Sequence, residues 1–156
     1  MADPAAAAPL PSAAPAARVC IAPTTDIAAC LALRRAVFID EQGISEADEL
    51  DDRDGEAIHL LAVLDGRPVG TARLLRAGET GKIGRVCVLA DQRGTGLGAA
   101  LIRAALDELR RQPGIRRAVL GAQCHALGFY ERLGFTAYGP VYDDAGIDHR
   151  DMALDL

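Results

Sequence analysis

The chain has 156 residues, a formal charge of −5 and a composition that is half apolar. This length and composition fit one compact domain that buries roughly 70% of its unfolded surface, and they exclude fibrous and wholly disordered proteins. The acidic balance argues against a nucleic-acid partner, and no apolar run is long enough to cross a membrane. We therefore expect neither of these partners.

Cysteine spacing and the amino-terminal composition bear on location and domain limits. Cys20, Cys30, Cys87 and Cys124 form neither a CxxC pair nor a cluster with metal-ligand spacing. Since no secretory pattern accompanies them, we expect reduced thiols, no metal and a cytoplasmic protein. Residues 1–17 are rich in Ala and Pro, so we expect a disordered tail there and a folded domain over 18–156.

Beyond the tail, the apolar pattern predicts alternating strands and helices. A strand over 18–22 precedes a helix that begins after Asp26 and ends near Gly43. The Asp65-Gly66 pair predicts a tight hairpin between two β-like runs. The remaining predicted elements are strands at 82–89 and 118–122, helices at 96–110 and 126–133, and strands at 136–138 and 152–154. This order predicts an α/β (α+β) fold with a mixed central sheet.

A glycine-rich loop between a strand and an amphipathic helix is the sharpest functional signal. It consists of Arg93, Gly94, Thr95, Gly96, Leu97 and Gly98. Backbone amides at a helix N-terminus favour a pyrophosphate, and Arg93 adds a bidentate donor. The spacing differs from the G-x-G-x-x-G of dinucleotide sites, and the Gly-Lys-Ser/Thr of a P-loop is absent. A tight structural turn is the alternative interpretation.

Four separated blocks resemble the GNAT superfamily of N-acetyltransferases, and within it the ElaA/YjcF-like branch. The blocks are residues 37–43, 86–99, 128–135 and 144–149. The resemblance covers about residues 18–154 and implies a GNAT-type fold, with a mostly antiparallel mixed sheet flanked by helices. It implies acetyl-CoA as co-substrate and no metal, and it leaves a homodimer open.

The resemblance also implies which residues bind the co-substrate. Val86, Cys87 and Val88 would line the acyl end and the pantetheine arm through their backbone. The loop residues Arg93, Gly94, Thr95, Gly96, Leu97, Gly98 and Ala99 would hold the pyrophosphate. Gln123 stands where many members have an Asn, and a pantetheine contact is expected there. Tyr130 matches the tyrosine that often protonates the departing thiolate.

The catalytic candidates on the acceptor side are Glu41 and His149. Residues 40–56 carry nine carboxylates, which form either a solvated surface or the rim of an acceptor groove that draws in a cationic amine. Within this stretch Glu41 is the first candidate for a base or amine contact, ahead of His149. A covalent role for Cys87 or Cys124 is disfavoured, because Cys is commonly a small buried hydrophobe. Arg73 and Arg85 are expected to be structural partners on the sheet.

These observations predict an N-acetyltransferase that moves the acetyl group of acetyl-CoA directly to a primary amine. Because a thioester is already activated, no covalent enzyme intermediate is expected. The alternatives are a non-catalytic acyl-CoA-binding or sensing module, and an interaction domain whose glycine loop binds nothing.

Overall fold

The computed structural model describes residues 18–156, so the tail predicted at 1–17 lies outside the described residues. It has seven strands and four α-helices. The strands are β1 Val19–Thr24, β2 Ile58–Leu64, β3 Arg67–Ala77, β4 Thr80–Val88, β5 Arg117–Gln123, β6 Thr136–Asp144 and β7 Ile147–Asp155. The helices are α1 Ile27–Arg34, α2 Glu46–Glu49, α3 Leu97–Arg111 and α4 Leu127–Arg132.

All seven strands form one sheet in the order β1-β2-β3-β4-β5-β7-β6. Only β4 and β5 run parallel, and every other neighbouring pair is antiparallel. The expected mixed, mostly antiparallel sheet is thereby confirmed. The single parallel pair lies in the middle of the sheet, and its geometry determines where the chain has a cleft.

Helix α3 covers one face of the sheet and anchors the main core. Its buried side chains recur at helical spacing: Leu97, Leu101, Ile102, Ala105, Leu106 and Leu109. They pack against buried residues of the strands, among them Leu60, Ile83 and Met152. A second, smaller core lies under α1, where Cys30, Leu33 and Val37 contact Leu61 and Cys87. The two faces of the sheet are therefore both covered.

Local signals account for most element boundaries. Asp65 and Gly66 both have positive φ between β2 and β3, as a tight hairpin turn requires. Gly134, with φ of 103°, follows the end of α4 in the position that favours a left-handed residue. Asp26 caps α1 by accepting a hydrogen bond from the Ala29 amide at 3.1 Å.

The first helical segment ends near Gly43, as predicted, with Gln42 as its C-cap, but after Arg34 it widens into a π-helical turn over Arg35–Glu41. The last two strands are longer than predicted, since Ala145 and Gly146 form a second tight turn that extends both β6 and β7. Across residues 18–156, the helices are all too short or too polar to span a bilayer.

Candidate acyl-transfer cleft

A cleft opens in the sheet where the two parallel strands part. β4 and β5 pair only from Thr80 to Lys82, opposite Arg117 to Val119. Beyond these residues the strands separate around a cavity of about 300 Å³. The side chains that line it and bear on chemistry are Gln42, Asp48, Glu49, Lys82, Arg85, Gln123, Tyr130, Tyr142, Asp144 and His149.

A bulge in β4 coincides with the opening. Thr71 is paired with Cys87 while Arg73 is paired with Gly84, so that Arg85 and Val86 together face Ala72. Such an extra residue bends a strand and leaves backbone groups out of the ladder. Both bulge residues line the cavity. Of the residues predicted to line the acyl end, Val86 therefore lies in the bulge, and Cys87 and Val88 come directly after it.

The glycine loop leads into the N-terminus of α3. Gly94 and Gly96 have φ of 77° and 87°, which glycine adopts without strain. Gly96 is the last residue before the helix, so the amides of Leu97, Gly98 and Ala99 belong to its first turn and have no intrahelical acceptor. The Thr95 hydroxyl donates to the Gln92 carbonyl at 2.6 Å and tightens the loop. The arrangement fits a pyrophosphate at this helix end.

The side chain of Arg93 is committed to other protein groups. Its Nη1 and Nη2 donate to the carboxylate of Glu41, the Nη2 bond being 2.7 Å long. Its Nε and Nη2 also donate to the Val88 carbonyl, at 3.1 and 2.9 Å. Arg93 thus ties the loop to the end of β4 and to the turn after α1. The sequence predicts that its guanidinium binds a phosphate, whereas here the guanidinium binds Glu41 and the Val88 carbonyl.

Glu41 lies outside the residues that line the cavity. The hydrogen bond from Arg93 lowers the pKa of its carboxyl, which makes it a poorer proton acceptor. The neighbouring Gln42 does line the cavity, and its Oε1 accepts a hydrogen bond from Gln123 Nε2 at 3.2 Å. His125 Nε2 lies 2.7 Å from Gln123 Oε1. The predicted pantetheine contact Gln123 thus lines the cavity and is hydrogen-bonded to Gln42.

Tyr130 sits in the cavity wall on α4, held by two aromatic neighbours. The rings of Phe129 and Phe135 pack edge-on to it, with centroids 5.0 and 5.9 Å away. Burial raises the pKa of Tyr130 to about 12. The phenol therefore keeps its proton at any physiological pH and remains a hydrogen-bond donor.

His149 lies on β7 and also lines the cavity. Its Nδ1 is 2.7 Å from the Ile147 carbonyl, which can only accept a hydrogen bond. In the neutral ring Nδ1 must then carry the hydrogen, and Nε2 is left with a free lone pair. Tyr142 stacks on the imidazole at 5.9 Å with an interplanar angle of 25°.

Tyr142 is fixed in turn by Asp151 and by a glycine. Its hydroxyl donates to Asp151 Oδ1 at 2.7 Å, and a Cβ on Gly121 would lie only 2.5 Å from the hydroxyl oxygen. Burial, followed by the Asp151 hydrogen bond, raises the pKa of Tyr142. Sequence reasoning missed Tyr142, because its nine-residue separation from Asp151 shows no local pattern. Gly121 pairs with Asp151 across β5 and β7, and its lack of a side chain leaves room for the tyrosine hydroxyl.

The acidic segment divides into two parts that the sequence did not distinguish. Asp48 lines the cavity, as the groove interpretation requires. Glu49 is only 4% exposed and is bound by Arg34 and Arg85, while Asp51 is bound by Arg73 at 2.7 Å. The solvated-surface interpretation is therefore wrong for Glu49, whereas Asp51 is paired but exposed. The expected structural roles of the two strand arginines are confirmed.

The thiol of Cys87 is buried in the smaller core, so it is not placed to act as a nucleophile. It is 4% exposed, and burial raises its pKa to about 12. A thiol with such a pKa is almost never a thiolate at neutral pH.

Comparisons with known proteins agree with this geometry. The family described as acetyltransferase (GNAT) domain matches residues 34–156. The uncharacterized Bacillus subtilis protein YyaT is 36% identical over 134 residues, which are 84% of this chain and 90% of the relative.

Two crystal structures resemble this chain over nearly their whole length. An acyl-CoA N-acyltransferase from Pseudomonas aeruginosa has a TM-score of 0.78 and 32% identity, over 89% of this chain and 99% of that one. Escherichia coli ElaA has a TM-score of 0.77 and 30% identity, over 88% and 99%. The resemblance seen in the four sequence blocks is thereby confirmed, and the chain belongs to the GNAT family of acetyltransferases and is an acyltransferase.

Proposed function

We propose that the protein transfers the acetyl group of acetyl-CoA directly to a primary amine that enters the cleft between β4 and β5. The observation that carries this proposal is that Tyr130 and His149 line one cavity, together with the bulge residues Arg85 and Val86 of β4. The glycine loop and the first turn of α3 would hold the pyrophosphate through main-chain amides. The co-substrate supplies an acyl group already activated as a thioester.

His149 is the proposed proton acceptor. Its Nε2 lone pair, left free by the Nδ1 hydrogen bond to Ile147, takes a proton from the bound ammonium, directly or through one water, and leaves a neutral amine that can attack the thioester. The amine nitrogen then forms the C–N bond as the C–S bond breaks. Asp151 and Tyr142 keep the imidazole in position, while Glu41 serves the loop through Arg93 rather than the acceptor.

Tyr130 is the proposed partner of the departing sulfur. Its pKa of about 12 lies above that of an ordinary thiol, near 8.5, so full proton transfer to the thiolate is unfavourable. The hydroxyl instead donates a hydrogen bond to the developing negative charge, and the thiolate takes its proton from solvent later. The burial and raised pKa of Cys87 support direct transfer without an acyl-cysteine.

The charge of the cavity supports a cationic acceptor. Glu49 is already bound by Arg34 and Arg85, and among the other charged lining residues Asp48 and Asp144 outnumber Lys82. An ammonium is attracted to such a site and an anionic amine is disfavoured.

The proposal also includes a cytoplasmic location, because the four cysteines, all within residues 18–156, are free thiols. A two-fold homodimer is proposed on general grounds and is tested by light scattering.

The direct test is a turnover assay with acetyl-CoA and a panel of amines. The panel contains linear diamines, neutral monoamines, amino acids and a lysine peptide, with thiol release and product mass measured together. We expect thiol release to depend on the amine and to be fastest with cationic amines. Tight acetyl-CoA binding without turnover on any amine would contradict the proposal and favour a binding or sensing module.

A further inference from the structure

Arg85 has a backbone conformation that is unusual for its place in the chain. Within residues 18–156, three non-glycine residues have positive φ: Asp65, Arg85 and Ala145. Asp65 and Ala145 each precede a glycine in a tight hairpin turn, where positive φ is required. Arg85, with φ of 51°, lies inside β4. Side chains in this region are strained and persist only where the surroundings hold them.

The strained residue is also the first residue of the bulge. In bulges of this kind a glycine normally takes the left-handed position. Here Gly84 precedes the bulge, yet the left-handed residue is Arg85. A side-chain interaction must therefore compensate for the strain at this position.

Glu49 provides that interaction. Arg85 Nε donates to Glu49 Oε2 at 3.0 Å, and Arg85 Nη2 donates to the Glu49 carbonyl oxygen at 2.8 Å. A longer bond of 3.3 Å joins Arg85 Nη2 to Asp51. The guanidinium is thus bound by both the backbone and the side chain of one residue.

Glu49 is itself fixed from behind by a buried cation. Arg34 Nε donates to the same Oε2 at 2.8 Å, and the exposed fractions of the two side chains are 1% and 3%. Arg34 also binds Asp54 at 2.8 Å. Because removing a partner from a buried ion pair leaves an uncompensated charge, this anchor resists displacement. The acidic segment therefore presents a rigid acceptor to β4.

We propose that Arg85 is a positioning residue whose ion pair with Glu49 holds β4 in its bulged form and so sets the cleft in which acyl transfer takes place. The inference rests on the proposed function, since it assigns the acidic segment to the backbone that faces the co-substrate. It also explains why a buried carboxylate lies in a segment with the composition of a surface loop.

The test compares Arg85→Gly with Arg85→Ala. Both variants lose the guanidinium, but glycine adopts positive φ freely and alanine does not. We expect KM for acetyl-CoA to rise in both, and to rise by roughly a further tenfold in Arg85→Ala, as the strain of a left-handed residue implies. Arg85→Lys should recover part of the loss. Glu49→Gln should resemble Arg85→Ala, because it keeps a non-glycine residue at positive φ and removes its charged partner. Equal losses in the glycine and alanine variants, or no loss in either, would overturn the proposal.

The matched control is the same pair of substitutions at Asp65, which has φ of 50° in the β2–β3 turn and does not line the cavity. Asp65→Ala should lower the thermal midpoint relative to Asp65→Gly, with KM for acetyl-CoA unchanged. If a structural loss alone raised KM, the Asp65 pair would show it too, and the positioning role would be refuted.

Amide hydrogen exchange separates this inference from the proposed function. Exchange at residues 84–88 should be faster in Arg85→Ala than in Arg85→Gly, and slowest in the unmodified chain, with no ligand present. A chain that fails to bind acetyl-CoA but shows this order of exchange rates would contradict the proposed function. It would still support the role of the Arg85–Glu49 ion pair in holding the bulge. Equal exchange rates in the unmodified chain and both variants would overturn the role of this ion pair, whatever the protein binds.

Discussion

Arg93 binds the carboxylate of Glu41 and the carbonyl of Val88 with the same guanidinium. One side chain therefore joins the loop before α3, the end of β4 and the turn after α1. Each of these segments contributes to the cleft or adjoins it. Since Glu41 is not among the residues that line the cavity, we expect the pair to act on the proposed co-substrate site only through the geometry of these segments.

Neutralising Glu41 should weaken co-substrate binding without changing proton transfer. In Glu41→Gln we expect a higher KM for acetyl-CoA, because Arg93 loses a charged partner and the loop loosens. The pH profile of kcat should keep its shape. Asp40→Asn, an exposed neighbouring carboxylate, is the matched control and should behave like the unmodified chain. Loss of the limb that rises from acid pH in the Glu41→Gln profile would restore Glu41 as the proton acceptor.

Removing the Tyr130 hydroxyl should reduce turnover more than binding. In Tyr130→Phe we expect kcat to fall about a hundredfold, the loss typical of one donor to a developing charge. The dissociation constant for acetyl-CoA, measured by calorimetry, should change little. Tyr138→Phe is the control, because that ring is exposed and packs under Arg117 away from the cavity. Comparable kcat values in the two variants would remove Tyr130 from the mechanism.

His149 should define the rise of kcat/KM with pH. An imidazole accepts a proton only in its neutral form, so activity should be lost in acid, where the ring is protonated. His149→Gln should lose this limb and about a hundredfold in kcat. Asp148→Asn, an exposed change on the same strand, should retain both. A limb that survives in His149→Gln would assign the base elsewhere.

Gly121→Ala should displace Tyr142 from Asp151, since its Cβ would lie 2.5 Å from the tyrosine hydroxyl. We expect a higher KM for the amine and an unchanged KM for acetyl-CoA, measured by varying each substrate in turn. A rise in KM for acetyl-CoA alone would show that Tyr142 acts on the co-substrate and not on the amine, and would contradict this prediction. Tyr142→Phe should show a weaker form of the same effect, because the ring still stacks on His149.

Several features were accessible from the sequence because they depend on neighbours in the chain. The Asp65-Gly66 hairpin, the amphipathic α3 and the Gly134 helix end all follow from short patterns. The pairing of Glu41 with Arg93 spans 52 residues, and the burial of Glu49 depends on Arg34 and Arg85, which lie on two other elements. Nothing local distinguishes a carboxylate that meets an arginine from one that meets water. The π-helical widening after Arg34 likewise has no signature in residue type.

The ion pairs of the acidic segment should make the free energy of unfolding depend on pH in the acid range. The hydrogen bond from Arg73 lowers the pKa of Asp51 from 3.8 to about 2. Asp51 therefore stabilises the fold above its unfolded pKa, and this contribution is lost as pH falls through the folded value. Because the side chain is 31% exposed, solvent screening reduces the contribution to about 1 kcal/mol. The free energy of unfolding should decline between pH 4 and 2, less steeply in Asp51→Asn. Asp52→Asn, at an exposed position, should follow the unmodified chain.

Thermal unfolding with and without acetyl-CoA tests the central claim most directly, with NADH as the control ligand and Gly96→Val as the control variant. A ligand at 100 times its dissociation constant adds about 2.7 kcal/mol, which raises the midpoint of a domain of this size by roughly 5 to 10 °C. We predict such a shift with acetyl-CoA, none with NADH, and a much smaller shift in Gly96→Val, where the left-handed residue before α3 is lost. An unchanged midpoint at saturating acetyl-CoA would contradict the account.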